Sequence, residues 1–271
     1  MRNKPIYILL LSCITSLLVY AQTPSEQIEL LSPKNSKSIS VDKLGDIYIL
    51  NENQEVRKYL KQQKIQFTYT NKLAGAIGSI DITIPQKTLI FYPDIQQLTI
   101  LNRQFEVLNE FKLKGYVLDQ ITLAATSENN SYWLFDNLNY KVIRIGQNTE
   151  PLVEGIDLSR VLRKAVRPTK MLEQMGQVYL LEPSIGILVI DNFGAYVKTI
   201  PIKNISNFSI AGNIIYFQKE GTWFAYNSKS LETTLLLDGF NAETCKKTTV
   251  QLEFLYCLRE KQVVLYTIKK Q

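Results

Sequence analysis

Apolar positions along this chain gather into short, dense runs separated by polar stretches. The runs read "IYIL" from 47, "TLIF" from 88, "YWLF" from 132, "VYLL" from 178, "IIYF" from 214 and "EFLYCL" from 253. Their starts recur every roughly 36–46 residues, a spacing expected when one supersecondary unit repeats as the blade of a propeller. Each run also stands second among four strand-like segments. In the first unit "SISV" passes through the turn "DKLGD" into "DIYIL", then "EVRKYL", then "IQFTYT". Four short strands joined by polar turns make an antiparallel meander. Gly45 supplies the positive φ that such a turn needs. The second strand is apolar throughout because both faces of the sheet would pack on neighbouring blades.

The last unit is one strand short. "TCKKTTV", "LEFLYCL" and "VVLYTIKK" are followed directly by Gln271. An unassigned β-like stretch, "EQIELL" at 26–31, precedes the first full unit. Laid beside the last blade, it completes the sheet and covers a bare strand edge. The expected fold is therefore all-β, a six-bladed propeller closed by an N-terminal strand. Its blades fall at about 38–72, 77–115, 120–156, 168–203, 206–238 and 244–270, with 26–31 added to the sixth. A two-sheet sandwich would explain many short strands but not their grouping in fours.

Asp42, Gly45, Ile47, Tyr48 and Ile49 resemble the unit of the NHL-like six-bladed β-propellers, which read Asp, turn, Gly, then an aliphatic–aromatic–aliphatic strand. Val178–Tyr179–Leu180 repeats the aromatic placement. The resemblance implies the same ring of six sheets.

One stretch, 154–170, departs from the meander. Ile156, Val161, Leu162 and Val166 recur at near-helical spacing, Asp157 or Ser159 can cap the start, and Pro168 stops it. Arg160, Arg163, Lys164 and Arg167 lie between the apolar positions. A short helix is expected here between blades three and four, carrying either solvated charges or a basic element for docking a partner.

The first 21 residues differ from the rest. Arg2 and Lys4 precede an apolar body that ends in a small residue at Ala21, the pattern of a secretory signal peptide. Residues 22–271 then form the mature domain, exported, with a periplasmic or outer-membrane-associated location and no transmembrane segment. "LLSC" at 10–13 resembles a lipoprotein box at Cys13, but apolar sequence continues beyond it. Loss of the leader leaves Cys245 and Cys257, a candidate disulfide in an oxidising compartment. If Val41 faces Tyr48 in blade one, the same register places the two cysteines nearly opposite each other on the first two strands of blade six.

The chain has 31 basic and 25 acidic residues and no histidine. The basic excess is mild and unclustered, which does not suit nucleic acid. Without histidine the commonest general base, the Ser–His pair and the imidazole ligand are absent. No phosphate loop or CxxC motif occurs, and no catalytic, cofactor-binding or metal-binding residue is assigned. On the inner strands Asp42 and Asp81 stand with Thr122, Lys170, Asn207 and Lys246. Two acids among neutral and basic residues make a poor divalent-metal cage, so both read as turn or strand-end residues. The reading that follows is a non-catalytic exported scaffold binding a cell-envelope protein or outer-membrane complex. The alternative is a glycan-binding or glycan-cleaving propeller using loop carboxylates and some of its 15 Tyr, 11 Phe and 2 Trp.

Overall fold

A strand that is apolar at every position must be covered on both sides, because successive side chains point to opposite faces of the sheet. The structure, a computed structural model describing residues 26–29, 35–60, 65–113, 120–236, 245–260 and 262–268, meets that demand with six blades in a ring. Ile47 and Ile49 pack with Tyr256, Leu258, Val263 and Leu265 of blade six. Tyr48 and Leu50, alternating with them, pack with Ile90, Tyr92 and Leu101 of blade two. Two blades on, Tyr132 and Leu134 meet Leu89 and Phe91 of blade two, while Trp133 and Phe135 meet Val178, Leu180 and Leu188 of blade four.

Each blade is a four-stranded antiparallel sheet. Blade one comprises Ser36–Val41, Ile47–Asn51, Glu55–Leu60 and Ile65–Thr70. Blade two comprises Ser79–Asp81, Thr88–Tyr92, Gln97–Leu101 and Val107–Lys112. Blade three comprises Ile121–Thr126, Tyr132–Asp136, Lys141–Ile145 and Pro151–Glu154. Blade four comprises Lys170–Gln174, Gln177–Glu182, Gly186–Asp191 and Tyr196–Ile200. Blade five comprises Phe208–Ala211, Ile214–Lys219, Thr222–Asn227 and Thr233–Leu235.

Blade six takes Lys247–Gln251, Phe254–Leu258 and Gln262–Thr267 from the end of the chain. Its fourth strand is Glu26–Glu29, antiparallel to Gln262–Thr267 with Glu26 opposite Leu265 and Glu29 opposite Gln262. The first strand of blade six lies beside that of blade one, which closes the circle. The expected signal peptide and Cys13 lie outside the described residues.

The register differs from expectation. Val41 pairs with Ile47, and Ser40 with Tyr48. In blade six Cys257 faces Thr248, and Cys245 lies ahead of the first strand rather than on it. The turns explain the mismatch. Blade one uses the broad turn Asp42–Asp46, with Gly45 at φ 83°, whereas blade six turns within Leu252 and Glu253, with Leu252 at φ 55°. A register therefore does not transfer from one blade to the other. The disulfide forms nonetheless, with Cα atoms 5.3 Å apart. It joins the lead-in to blade six to the face of the second strand, among Trp223, Leu236 and Leu255 between blades five and six.

Two outcomes test this closure. Replacing both cysteines by alanine lowers the unfolding free energy by roughly 2–3 kcal/mol in urea titration, the value for a loop this short. A chain begun at Asn35, lacking the fourth strand of blade six, loses several-fold more than that and associates on gel filtration, because the Gln262–Thr267 edge is left unpaired.

Candidate functional site

The first strands of the blades line the axis of the ring. Between them lies a channel with a cavity of about 110 Å³, room for several waters. Of the six inner positions singled out above, Asp42, Asp81, Lys170 and Asn207 reach this channel. Thr122 is exposed elsewhere, and Lys246 pairs with Glu260 at 3.5 Å.

Both channel carboxylates are engaged by the fold. Asp42 accepts the backbone N–H of Leu44 at 2.9 Å and of Asp46 at 3.0 Å, and the Tyr48 hydroxyl at 3.1 Å. Burial, and then the charge of Asp46, raise its carboxyl above the usual value. Asp81 accepts from the Thr83 N–H and hydroxyl at 2.9 and 2.6 Å with one oxygen. With the other it accepts from the Thr126 N–H and hydroxyl, both at 2.6 Å. Thr126 belongs to blade three, so Asp81 ties two blades together. Asp81 has no acceptor position left for a metal ion, and Asp42 keeps one, on the oxygen bonded to Tyr48. Among the described residues no group of three or more acidic, cysteine or histidine side chains is placed to hold one.

Lys170 likewise reaches from its own blade, the fourth, to the next. Its Nζ donates to Asn207 Oδ1 and to the Phe208 carbonyl, each at 2.6 Å, and lies 5.2 Å from the centre of the Phe208 ring. Burial lowers the amine to about 8, against support from the Asp81 charge.

A second charged group, between blades one and two, had no signal in the sequence beyond a lysine inside the strand "EVRKYL". Lys58 is fully buried, over the Tyr48 ring at 4.9 Å and 3.7 Å from Asp46. Arg103 of blade two reaches the same Asp46 oxygen at 3.2 Å. Burial pushes the Lys58 amine down, while Asp46 and Asp42 hold it up.

The basic segment between blades three and four is shorter in its helix than its spacing suggests. The helix is Leu158–Leu162, capped by Asp157, whose carboxylate accepts the Ser159 N–H at 2.9 Å. It ends at Arg163 in the left-handed conformation, φ 55°, well before Pro168. Leu158 and Val166 are buried and Leu162 packs beside them, whereas Ile156 and Val161 are exposed. The apolar stripe is thus narrower than expected, because one helical turn presents only part of its circumference to blade four. The segment is fixed at both ends. Leu158 N–H donates to the Tyr140 carbonyl at 2.9 Å, and Arg167 N–H to Glu182 Oε2 at 2.6 Å. Arg160, Arg163, Lys164 and Arg167 all face solvent, and Arg160 pairs with Asp157 at 3.1 Å. No helix among the described residues is long and apolar enough to cross a membrane.

No protein-family model matches the chain, and no curated protein matches it in sequence. Solved structures share its fold. Virginiamycin B lyase from Staphylococcus aureus superposes with a TM-score of 0.57 at 14% identity, over 88% of this chain and 82% of that one. A catalytically inactive histidine-to-alanine form of that lyase with quinupristin gives 0.55 at 14% identity, over 84% and 79%. The extracellular domain of a one-component system from B. thetaiotaomicron gives 0.51 at 11% identity, over 87% of this chain and 35% of that one. At such identities the likeness is one of fold.

Lys170 makes stability depend on pH in a defined direction. Its folded value near 8 is below the ordinary 10.5, so between them the unfolded chain binds more protons and unfolding free energy rises with pH. Below about 8 both states are charged and the cost of the buried charge is fully present. The wild-type protein should therefore gain stability relative to Lys170→Met from pH 8 to pH 10 in denaturant titrations. Parallel curves for the two would contradict the assignment.

Proposed function

We propose that this chain is an exported, non-catalytic propeller that docks onto an acidic surface of a cell-envelope protein, as the soluble subunit of an outer-membrane complex. The observation that carries this reading is the segment 156–167. Four cationic side chains stand in solvent beside exposed Ile156 and Val161, on a backbone clamped at Tyr140 and Glu182. A docking element ordered in advance loses little freedom on association. Export is supported by the leader pattern and by the Cys245–Cys257 bond, since disulfides persist in oxidising compartments. The blade-one motif supports kinship with NHL-like propellers.

The glycan-cleaving alternative needs one protonated acid and one carboxylate free to act on the sugar. Asp42 and Asp81 are instead held by backbone and hydroxyl donors. The lyase likeness raises an enzymatic reading, but the form of that lyase called inactive has lost a histidine, and this chain contains none.

The test is capture from envelope extracts by the wild-type protein and by a variant with Arg160, Arg163, Lys164 and Arg167 all changed to glutamate. The wild type should retain a partner at low salt, release much of it at about 0.3 M salt as screening shortens the reach of its charges, and exceed the variant roughly tenfold. All four side chains are exposed and the Arg160–Asp157 pair that is lost lies at the surface, where such pairs contribute little, so the variant should melt within a few degrees of the wild type. Equal retention of the same partner by the two would end the proposal for this segment.

A further inference from the structure

The channel's acids are nearly filled with donors, but its lysine is not matched by a charge. Asp81 takes four donors and Asp42 three. The Lys170 ammonium has three N–H groups, and it donates to two neutral oxygens, Asn207 Oδ1 and the Phe208 carbonyl. No carboxylate of a described residue forms an ion pair with it. A cation held by neutral oxygens beside an open cavity gains from a counter-charge that can enter. Lys43, exposed and on the same lining, adds a second positive charge. Ser40, Gln174 and Gln251, on the first strands of blades one, four and six, add hydroxyl and amide donors.

We propose that the central channel binds a small anion, a carboxylate or a phosphate group, against the ammonium of Lys170. The size follows from the cavity of about 110 Å³. The sign follows from Asp81 having all its acceptor positions filled and Asp42 all but one, while the ammonium keeps an N–H beside neutral oxygens. The amine's departure from ordinary lysine behaviour agrees, because an anion restores the stabilisation that burial removes. The charged groups facing the site are Asp81, Asp42 and Lys43. Of these, Asp81 already supports the ammonium, so the anion is a reversible occupant of modest affinity. This site is separate from the basic segment 156–167, and neither reading requires the other.

The experiment follows the Lys170 side-chain methylene by NMR in lysine-labelled protein, titrated from about pH 6 to pH 11. Three buffers of equal ionic strength contain chloride, inorganic phosphate or acetate. An anion that binds only the ammonium form raises the titration midpoint, and at about tenfold above its dissociation constant the rise is about one pH unit. A shift in phosphate alone or in acetate alone identifies which chemistry the channel takes. Asn207→Asp, which places a carboxylate against Lys170, should raise the midpoint in chloride and abolish the response to added anion. The variant with the four basic residues reversed should respond as the wild type does. A wild-type midpoint unchanged by either anion overturns the proposal, whatever the outcome of partner capture.

Discussion

A sheet that is apolar on both faces cannot exist alone in water, and every blade of this protein is such a sheet. Burying one core side chain is worth roughly 1.5–3 kcal/mol, and a blade has such residues on two sides. One neighbour satisfies half the demand, so the arrangement is complete only when the last blade meets the first. That closing contact, Ile39, Val41, Ile47 and Ile49 against Tyr256, Leu258, Val263 and Leu265, is of the same kind as the others. The chain makes it by lending Glu26–Glu29 to the final sheet. The strand that would otherwise end the ring with a bare edge is thereby paired, and the first and last described strands share one sheet.

Apolar packing is non-directional and would let blades slide on one another. Polar side chains crossing the interfaces remove that freedom. Arg103 reaches Asp46 from blade two to blade one, and Asp81 takes Thr126 from blade three. Trp133 donates to Glu173 at 2.6 Å between blades three and four, and Lys170 reaches Asn207 and Phe208 from blade four to five. Ser209 donates to the Val250 carbonyl at 2.7 Å between blades five and six. Several of these ties stand at the channel, where the inner strands are closest. The channel is therefore polar because it is where the ring is fastened, and its vacant hydrogen-bonding capacity is what the fastening leaves over.

Much of the architecture was legible in the sequence because its signal is periodic and two-sided. "IYIL" and its five counterparts are dense in apolar residues at consecutive positions, as strands covered on both faces require, and their grouping in fours with polar turns marks them as strands. The missing fourth strand and the spare N-terminal one were legible for the same reason. Register was not. It is set by turns such as Asp42–Asp46 and Leu252–Glu253, whose breadth depends on single residues with positive φ. Four of the six inner-strand positions reached the channel; Thr122 did not, its strand being bulged between Ile121 and Leu123. The partner of Asp81, the burial of Lys58 and the clamp on Arg167 are contacts between distant segments, and no local pattern encodes them.

The mild basic excess of the composition understates the charge the described surface carries. Among the described residues the buried charged groups are Asp42, Asp46, Asp81, Asp136 and Glu182 with Lys58, and the Lys170 amine is desolvated at the channel. The reason is geometric. Turns and caps leave backbone N–H groups without partners, and a carboxylate is the side chain suited to accept them, as Asp136 does for Leu138 and Asn139. Arginine and lysine donate only and find fewer such uses, so they remain outside. Among the described residues, folding thus draws more negative than positive charge inward. The segment with Arg160, Arg163, Lys164 and Arg167 is where positive charge is displayed on a backbone fixed at both ends. A field of this sign speeds encounter with acidic surfaces, and it arises here from the same hydrogen-bonding requirements that close the turns of the blades.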